Sequence, residues 1–403
     1  MPTRHLLDPH AGGQARSAAL RALGTVVPAV WPGGVECWAV VGHRELETVL
    51  TRPLFARSPA HWRALAQGEV PPDWPMIDHL SRQWMLTSDG ADHTRLRKVA
   101  SRAFTPRRVE ALRPAVEEKV AHLLDGFDPG REPVDIRAGF ATPLALGTLS
   151  SLLGIPDDDQ PVVTALVRRA LARASMSPED SAVLTRDIRA FLDGLLDHPA
   201  SSDCLVADLR EAATSEGLSA QEARDTLWLF LAAGFDTTAA ALTNAVGALL
   251  DHPAELRRVL DGETSWDDVV EEALRFDPGV FALPFAFPRQ DTELGGRTIR
   301  AGDALLLCYT AANRDPRLRG DARHFRVSGA RDPHLAFGRG PHYCLGAPLA
   351  KLQLRTAVRA LFTRHPGLRA ARPAGPPAAS LIVSVPSSLL VVSGVFEDDA
   401  PAP

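Results

Sequence analysis

The segment LWLFLAAGFDTTAAALTNAVGALLDH, residues 227–252, carries apolar side chains on nearly every face of a helix and contains no proline. Ser219 and Glu222 form a capping-box pattern before it, and Pro253 follows it. The sequence therefore predicts one helix of about 50 Å at 1.5 Å per residue. A helix that is apolar all round is buried at the centre of a large core. We therefore predict one core built around this helix rather than two smaller domains.

The rest of the chain predicts a mainly α protein with small β-sheets. Apolar residues recur at three- and four-residue spacing from about residue 92 to 275, which is typical of amphipathic helices. Short β-like runs lie at 36–42, 292–310 and 380–394, and a Gly-Gly turn divides the second run. We expect a single large domain over residues 1–403, with a disordered tail at 396–403.

Charge and cysteine content exclude several classes of protein. The net charge of the 403-residue chain is −5, but a nucleic-acid-binding surface should be strongly basic. Four cysteines, Cys37, Cys204, Cys308 and Cys344, form no C-x-x-C pair, which argues against a cysteine-based zinc site or a disulfide framework. The N-terminal residues have no apolar core of signal-peptide length, and no uninterrupted apolar run is long enough to span a membrane. We therefore predict a soluble, cytoplasmic protein with no nucleic-acid or membrane partner.

The sequence AGFDTT, residues 233–238, is unusual within a buried helix. Gly234 costs about 1 kcal/mol relative to alanine, and burial of an unpaired Asp236 would cost more. In one interpretation, Thr237 bonds back to the carbonyl four residues earlier, Asp236 pairs with a surface arginine, and the helix merely bends. In the other, the helix opens so that a planar or diatomic ligand approaches the backbone at Gly234. Asp236 and Thr237 would then deliver protons to that ligand.

A second helix is predicted from Ser265, which caps it, to the Asp277-Pro278 pair that ends it. Within it, Glu272 and Arg275 are three residues apart and can pair. Taken alone, such a pair is most often a solvated ion pair at the surface.

The stretch HLAFGRGPHYCLG, residues 334–346, surrounds Cys344 with three glycines, which leave room beside it for something flat and bulky. A helix-like run follows, and a thiolate near a helix N-terminus is stabilised by backbone N–H groups and the helix dipole. Such a protected thiolate is a strong axial ligand for iron. The alternative is a catalytic cysteine with His334 or His342 as its base, but that role does not explain the glycines.

These segments, in this order, resemble the cytochrome P-450 family of heme-thiolate monooxygenases. FGRGPHYCLG (337–346) matches the family's cysteine loop, F-G-x-G-x-H-x-C-x-G, and AGFDTT matches its oxygen-activating helix. EALR (272–275) matches the E-x-x-R helix, and HTRLR (93–97) matches the H-x-x-x-R helix. The likeness covers nearly the whole chain and is greatest to soluble actinobacterial members.

The resemblance implies a role for each matching residue. Cys344 would be the proximal ligand to the iron of heme b (iron-protoporphyrin IX), and Asp236 and Thr237 would be the catalytic acid–alcohol pair. Glu272 and Arg275 would support the proximal side of the heme. The other cofactor-binding residues would be His93, Arg97 and His342 at the heme propionates, with Phe337, Gly338 and Gly346 in the cysteine loop.

Two positions depart from the family's pattern. Bacterial members usually have an arginine that reaches a propionate five residues before the aspartate of DTELGG, where this chain has Ala286. The resemblance therefore implies either a weaker hold on one propionate or a substitute contact from Arg289. The third member of the E-x-x-R network is usually an arginine, but here it is His324, so we expect that network to depend more on pH.

The implied activity is the insertion of one oxygen atom from O2 into a C–H bond of a small apolar or natural-product substrate, as part of secondary metabolism. Electrons would come from a ferredoxin and a ferredoxin reductase, and the enzyme would be a monomer. The same fold could instead catalyse epoxidation, desaturation or oxidative coupling. A heme-binding sensor or recruiting module is the alternative outside the enzyme class, but such a module should have lost Cys344 or the Asp236–Thr237 pair.

Overall fold

The structure, a computed structural model, describes residues 4–72, 74, 76–77, 82–130, 132–171, 176–197, 204–327 and 333–393. The tail that we predict to be disordered, 396–403, lies outside these residues. The described chain is mainly helical with small sheets, which confirms the predicted fold class. The α-helices are α1 (Gly13–Leu23), α2 (His43–Thr51), α3 (Arg63–Ala66), α4 (Gly90–Ala100), α5 (Pro106–Ala111), α6 (Arg113–Asp125), α7 (Thr142–Leu153), α8 (Gln160–Leu171), α9 (Pro178–Asp197), α10 (Leu205–Ser215), α11 (Ala220–Gly234), α12 (Asp236–Asp251), α13 (Pro253–Leu260), α14 (Trp266–Phe276), α15 (Tyr309–Asn313) and α16 (Ala347–Arg364).

The strands lie in two small sheets and one hairpin. They are β1 (His5–Leu6), β2 (Val26–Trp31), β3 (Val35–Val40), β4 (Phe55–Ala56), β5 (Val134–Asp135), β6 (Ala282–Pro288), β7 (Thr292–Leu294), β8 (Arg297–Ile299), β9 (Leu305–Cys308), β10 (Leu368–Ala370) and β11 (Leu390–Ser393). The larger sheet has the order β1-β2-β3-β9-β6-β4, and the smaller has the order β10-β11-β5. The predicted Gly-Gly turn joins β7 to β8, with φ of 58° at Gly295 and 72° at Gly296.

The central helix is present, but it is interrupted at one residue. Helix α11 ends at Gly234, α12 begins at Asp236, and Phe235 lies between them. The predicted capping box of Ser219 and Glu222 is confirmed at the start of α11. By length and composition alone, residues 220–251 could cross a membrane, but 67% of their most apolar window is buried inside the protein. The two helices pack against α7, α14 and α16, so this segment is the centre of the core.

The Glu272–Arg275 pair on α14 is buried, so its interpretation as a solvated surface pair is wrong. The two residues are 7% and 2% exposed, and Arg275 donates to both Glu272 oxygens at 2.7 and 2.8 Å. Arg275 also donates to the backbone carbonyl of His324 at 2.9 Å. His324 itself is exposed, and the second cation near Glu272, after Arg275, is Arg319, at 3.9 Å. In the described part of the chain, His324 joins this network through its backbone carbonyl and not, as expected, through its imidazole.

Candidate active site

A cavity lies between α4, the interrupted central helix and the loop before α16. Eight of the nine predicted site residues line it: His93, Arg97, Thr237, Phe337, Gly338, His342, Cys344 and Gly346. The ninth, Asp236, lies beside Thr237 on α12 and is not part of the lining. The fold therefore brings together segments that are more than two hundred residues apart in the chain.

The loop before α16 presents Cys344 to the cavity. The Cys344 N–H donates to the Phe337 carbonyl at 2.9 Å, which closes the loop, and Gly346 is the N-cap of α16. Burial raises the pKa of the Cys344 thiol, while the backbone N–H groups of Gly346 and Ala347 and the charge of Arg97 lower it. Cys37, Cys204 and Cys308 are buried, as expected for small apolar side chains. Among the four cysteines, Cys344 is the exposed one because it opens on this cavity, and the surrounding protein is close enough to desolvate its thiol.

Gly340 gives the cysteine loop its shape. Its φ is 73°, and a Cβ there would lie 2.6 Å from the Leu50 carbonyl oxygen. We expect Gly340→Ala to lower the free energy of unfolding by about 1–3 kcal/mol, measured by chemical denaturation of the holoenzyme. Gly367→Ala is the matched control, because nothing lies within 4 Å of its Cβ position. Equal effects of the two substitutions would contradict this account of the loop.

Basic side chains gather on one side of the cavity. The rings of His93 and His342 lie 4.1 Å apart, and Arg97 Nη2 donates to the Tyr343 carbonyl at 2.6 Å. His93 Nε2 is buried and has no hydrogen-bond partner among the described residues. Burial lowers the pKa of His342 to about 2, with further contributions from Arg57, His93 and Arg97. Burial also lowers the pKa of His93. This arrangement of donors suits an anionic group of a ligand.

The interruption of the central helix combines features of both sequence interpretations. The Thr237 hydroxyl donates to the Ala233 carbonyl at 2.7 Å, and Asp236 Oδ1 lies 3.5 Å from Arg137 Nη2, as the first interpretation expects. The helix also breaks, as the second expects. A Cβ at Gly234 would lie 2.9 Å from the Leu149 side chain, so close packing against α7 requires this glycine. Burial raises the pKa of Asp236, and Arg137 opposes that change.

The rest of the cavity is largely apolar. Its apolar lining includes Met85, Leu86, Phe104, Leu149, Leu229, Phe230, Val280 and Leu283. The phenylalanines Phe281, Phe285 and Phe287 are at most 6% exposed and belong to the core rather than to this lining. A largely apolar chamber with a few hydroxyl groups, those of Thr237, Thr238, Tyr309 and Tyr343, suits an organic substrate with little charge.

The residues present fit a heme. The thiol of Cys344 lies at one wall, in a glycine-containing loop. At the edge, the unpartnered imidazole nitrogen of His93 lies with the His342 imidazole and the Arg97 guanidinium. A thiolate is an established axial ligand of heme iron, and cationic donors suit the heme carboxylates.

Comparison with known proteins agrees with this chemistry and defines the class. Residues 172–365 match the family model "Cytochrome P450". The chain is 36% identical to 2-hydroxy-5-methyl-1-naphthoate 7-hydroxylase of Streptomyces carzinostaticus over 91% of each protein. It therefore belongs to the cytochrome P450 family and is a heme monooxygenase. As in that family generally, its cofactor is a heme-thiolate group, and it uses O2, a small-molecule substrate and electrons from a redox partner.

Two further proteins show the same similarity. The chain is 35% identical to the cytochrome P450 monooxygenase PikC of Streptomyces venezuelae, over 87% of this chain and 83% of that protein. The solved structure of CYP154A1 from Streptomyces coelicolor A3(2) superposes with a TM-score of 0.89 at 37% identity, over 97% of this chain and 100% of that one.

Proposed function

We propose that the cavity holds heme b, with Cys344 as the ligand to its iron and with His93, Arg97 and His342 at its carboxylates. Phe337, Gly338 and Gly346 would pack beside the thiolate. The observation that carries this proposal is the convergence of the thiol and the basic side chains on one cavity. The unpartnered, buried Nε2 of His93 supports it, because a carboxylate would satisfy that atom.

The side chains around the cavity would have separate roles in oxygenation. The bound heme would supply the binding and reductive activation of O2. The N–H groups of Gly346 and Ala347 would favour the thiolate form of Cys344, against the burial that raises its pKa. The Thr237 hydroxyl faces the cavity, and Asp236 lies one residue behind it, paired with Arg137. Asp236 would therefore exchange protons on the outer side of the helix, and Thr237 would pass them to the cavity.

The apolar lining favours a small apolar or natural-product substrate that is hydroxylated at a C–H bond. One relative is named for the hydroxylation of a naphthoate, a small organic molecule, which supports the same substrate class here. We propose a ferredoxin and a ferredoxin reductase as the electron source for a monomeric, single-domain, cytoplasmic enzyme.

The proton-delivery role is tested by two substitutions on α12. We expect Asp236→Asn to lower kcat by about 100-fold with little change in KM, because it removes a proton carrier rather than a substrate contact. Thr237→Ala should still consume reductant but release more peroxide and less product. The measurement is product and peroxide formed per electron consumed.

Thr243→Ala is the matched control for both variants. Thr243 also lies on α12 and donates to the carbonyl four residues earlier, at 2.8 Å, but it does not line the cavity. Its product yield per electron should equal that of the unmodified enzyme. Unchanged kcat and product yield in both Asp236→Asn and Thr237→Ala would remove these residues from proton delivery.

A further inference from the structure

Arg57 is a buried arginine next to the basic side of the cavity. It is 8% exposed, and its guanidinium donates to the Tyr309 hydroxyl and, at 3.5 Å, to the Phe285 carbonyl. Tyr309 lines the cavity together with His93 and His342. The guanidinium also lies near enough to both imidazoles to act on their charge. Arg57 therefore adds a guanidinium on the side of the cavity that already has the Arg97 guanidinium and the two imidazoles.

No carboxylate in the described part of the chain forms an ion pair with the Arg57 guanidinium. The nearest candidate, Asp89, is used differently: it accepts the backbone N–H groups of Arg57 and Ser58 at 2.9 Å each and lies 3.6 Å from Arg289. Asp89 also precedes α4, which carries His93, so it ties the backbone of Arg57 to that helix. A buried arginine without an anion is unfavourable, and a ligand carboxylate would remove the penalty.

The pairing of β4 with β6 explains why the Arg57 side chain lies next to the basic side of the cavity. Phe55 pairs with Pro288 and Ala56 with Phe287, so the same register continued by one residue sets Arg57 opposite Ala286. Side chains directly opposite each other in an antiparallel pair lie on the same face of the sheet. The small side chain of Ala286, which is fully buried, leaves the space that a long side chain at position 57 needs.

Arg289, which the sequence suggested as a substitute for an arginine at position 286, contacts His61 and Asp89 instead of the cavity. Its Nη1 lies 2.7 Å from His61 Nε2, its Nη2 lies 3.6 Å from Asp89, and its side chain is 41% exposed. Neither Arg289 nor Arg57 is part of the cavity lining, but Arg57 donates to Tyr309, which is. An exposed arginine that already has an acidic neighbour is a poor candidate for a buried ligand carboxylate.

We propose that Arg57 binds a carboxylate of the heme and occupies, from the neighbouring strand, the place that an arginine at position 286 would fill. This inference rests on the proposed heme site and adds to it a cationic residue that the sequence patterns do not mark. It also changes the expectation for position 286. An arginine at position 286 would compete with Arg57 for the same space and for the same heme carboxylate. In a variant that lacks Arg57, it would bind that carboxylate instead.

The test is the rate at which the holoenzyme loses heme to an excess of apo-globin. Arg57→Ala should lose heme about tenfold faster, equivalent to about 1.4 kcal/mol, because one charge-assisted contact to the carboxylate is removed. Arg289→Ala is the matched control and should transfer heme within about twofold of the unmodified protein. A wild-type rate in Arg57→Ala, or an equally fast loss in Arg289→Ala, would overturn the proposal.

The double variant Arg57→Ala/Ala286→Arg separates cofactor binding from a structural role. Moving the cation to the opposite strand should restore the transfer rate to within about threefold of the unmodified protein. Ala286→Arg alone should not slow heme loss. If Arg57→Ala loses heme and the double variant does not recover, Arg57 acts through its contacts to Phe285 and Tyr309, and the proposal fails.

The ferrous–CO spectrum distinguishes a failure of the Arg57 proposal from a failure of the proposed heme site. Each variant should show a thiolate-type Soret band directly after purification, because Arg57 is not one of the groups that act on the Cys344 thiol. A thiolate band in the unmodified protein together with unchanged heme transfer in Arg57→Ala refutes only the role of Arg57. Absence of that band in the unmodified protein refutes the proposed heme site.

Discussion

Replacing Cys344 with alanine is expected to abolish product formation and the thiolate-type ferrous–CO spectrum. Cys344 is the cysteine that lines the cavity, and the other three are buried elsewhere in the protein. Alanine supplies no ligand atom, and the other sulfur in the lining, the Met85 thioether, cannot form a thiolate. The spectrum is recorded on the fraction of Cys344→Ala that retains heme, and turnover is measured on the same sample.

Cys308→Ala is the control for this substitution. Cys308 is fully buried in β9 and packs within the larger sheet, so its loss should leave the spectrum and the turnover unchanged. A thiolate-type spectrum that persists in Cys344→Ala would show that the ligand has been assigned to the wrong residue.

Replacing Arg275 with alanine is expected to lower the free energy of unfolding by about 3–5 kcal/mol. The substitution leaves the Glu272 carboxylate buried without its bidentate partner, and removal of one member of a buried ion pair costs about that much. Three backbone carbonyls, those of Asn313, Ala322 and His324, would also lose a donor. Chemical denaturation of the holoenzyme measures the change.

Arg355→Ala is the matched control on the same face of the core. Arg355 pairs with Asp267 of α14 at 3.0 Å, but the two side chains are 33% and 52% exposed. An exposed pair of this kind contributes at most about 1 kcal/mol. Similar losses of stability in Arg275→Ala and Arg355→Ala would contradict the prediction that the buried Glu272–Arg275 pair contributes more to stability than the exposed Arg355–Asp267 pair.

The sequence predicts those features that depend on nearby residues. The capping box at Ser219, the cap at Ser265 and the Gly-Gly hairpin turn each result from residues within a few positions, and the structure contains all three. The cysteine loop before α16 is also a local pattern of glycines and a helix start. The apolar run at 227–252 predicts burial because only a large core can cover every face of such a helix.

The features that the sequence does not predict depend on contacts between distant segments. The sequence leaves open whether the central helix bends or opens at residues 233–238, and it does not reveal the packing of Gly234 on Leu149 of α7 that accompanies the break at Phe235. Spacing shows that Glu272 and Arg275 can pair, but it cannot show that the pair is buried. The same limit applies to Arg137, which reaches Asp236 from 99 residues away in the chain.

The arginine that is absent from position 286 shows that a substitute residue is hard to identify from the sequence alone. The pattern of family residues draws attention to Ala286 and to the next arginine in the chain, Arg289. The register of β4 against β6 instead brings in Arg57, whose contact to Phe285 spans 228 positions. Only strand pairing makes that substitution visible, because a cross-strand neighbour has no fixed distance along the chain.

The most direct test of this account is a crystal structure of the heme-loaded protein, with the iron located by anomalous scattering. We predict an iron atom bonded to Cys344 Sγ, and heme carboxylates in contact with His93, Arg97, His342 and Arg57. An iron atom bound to any other side chain, or heme carboxylates on the opposite side of the cavity, would contradict it.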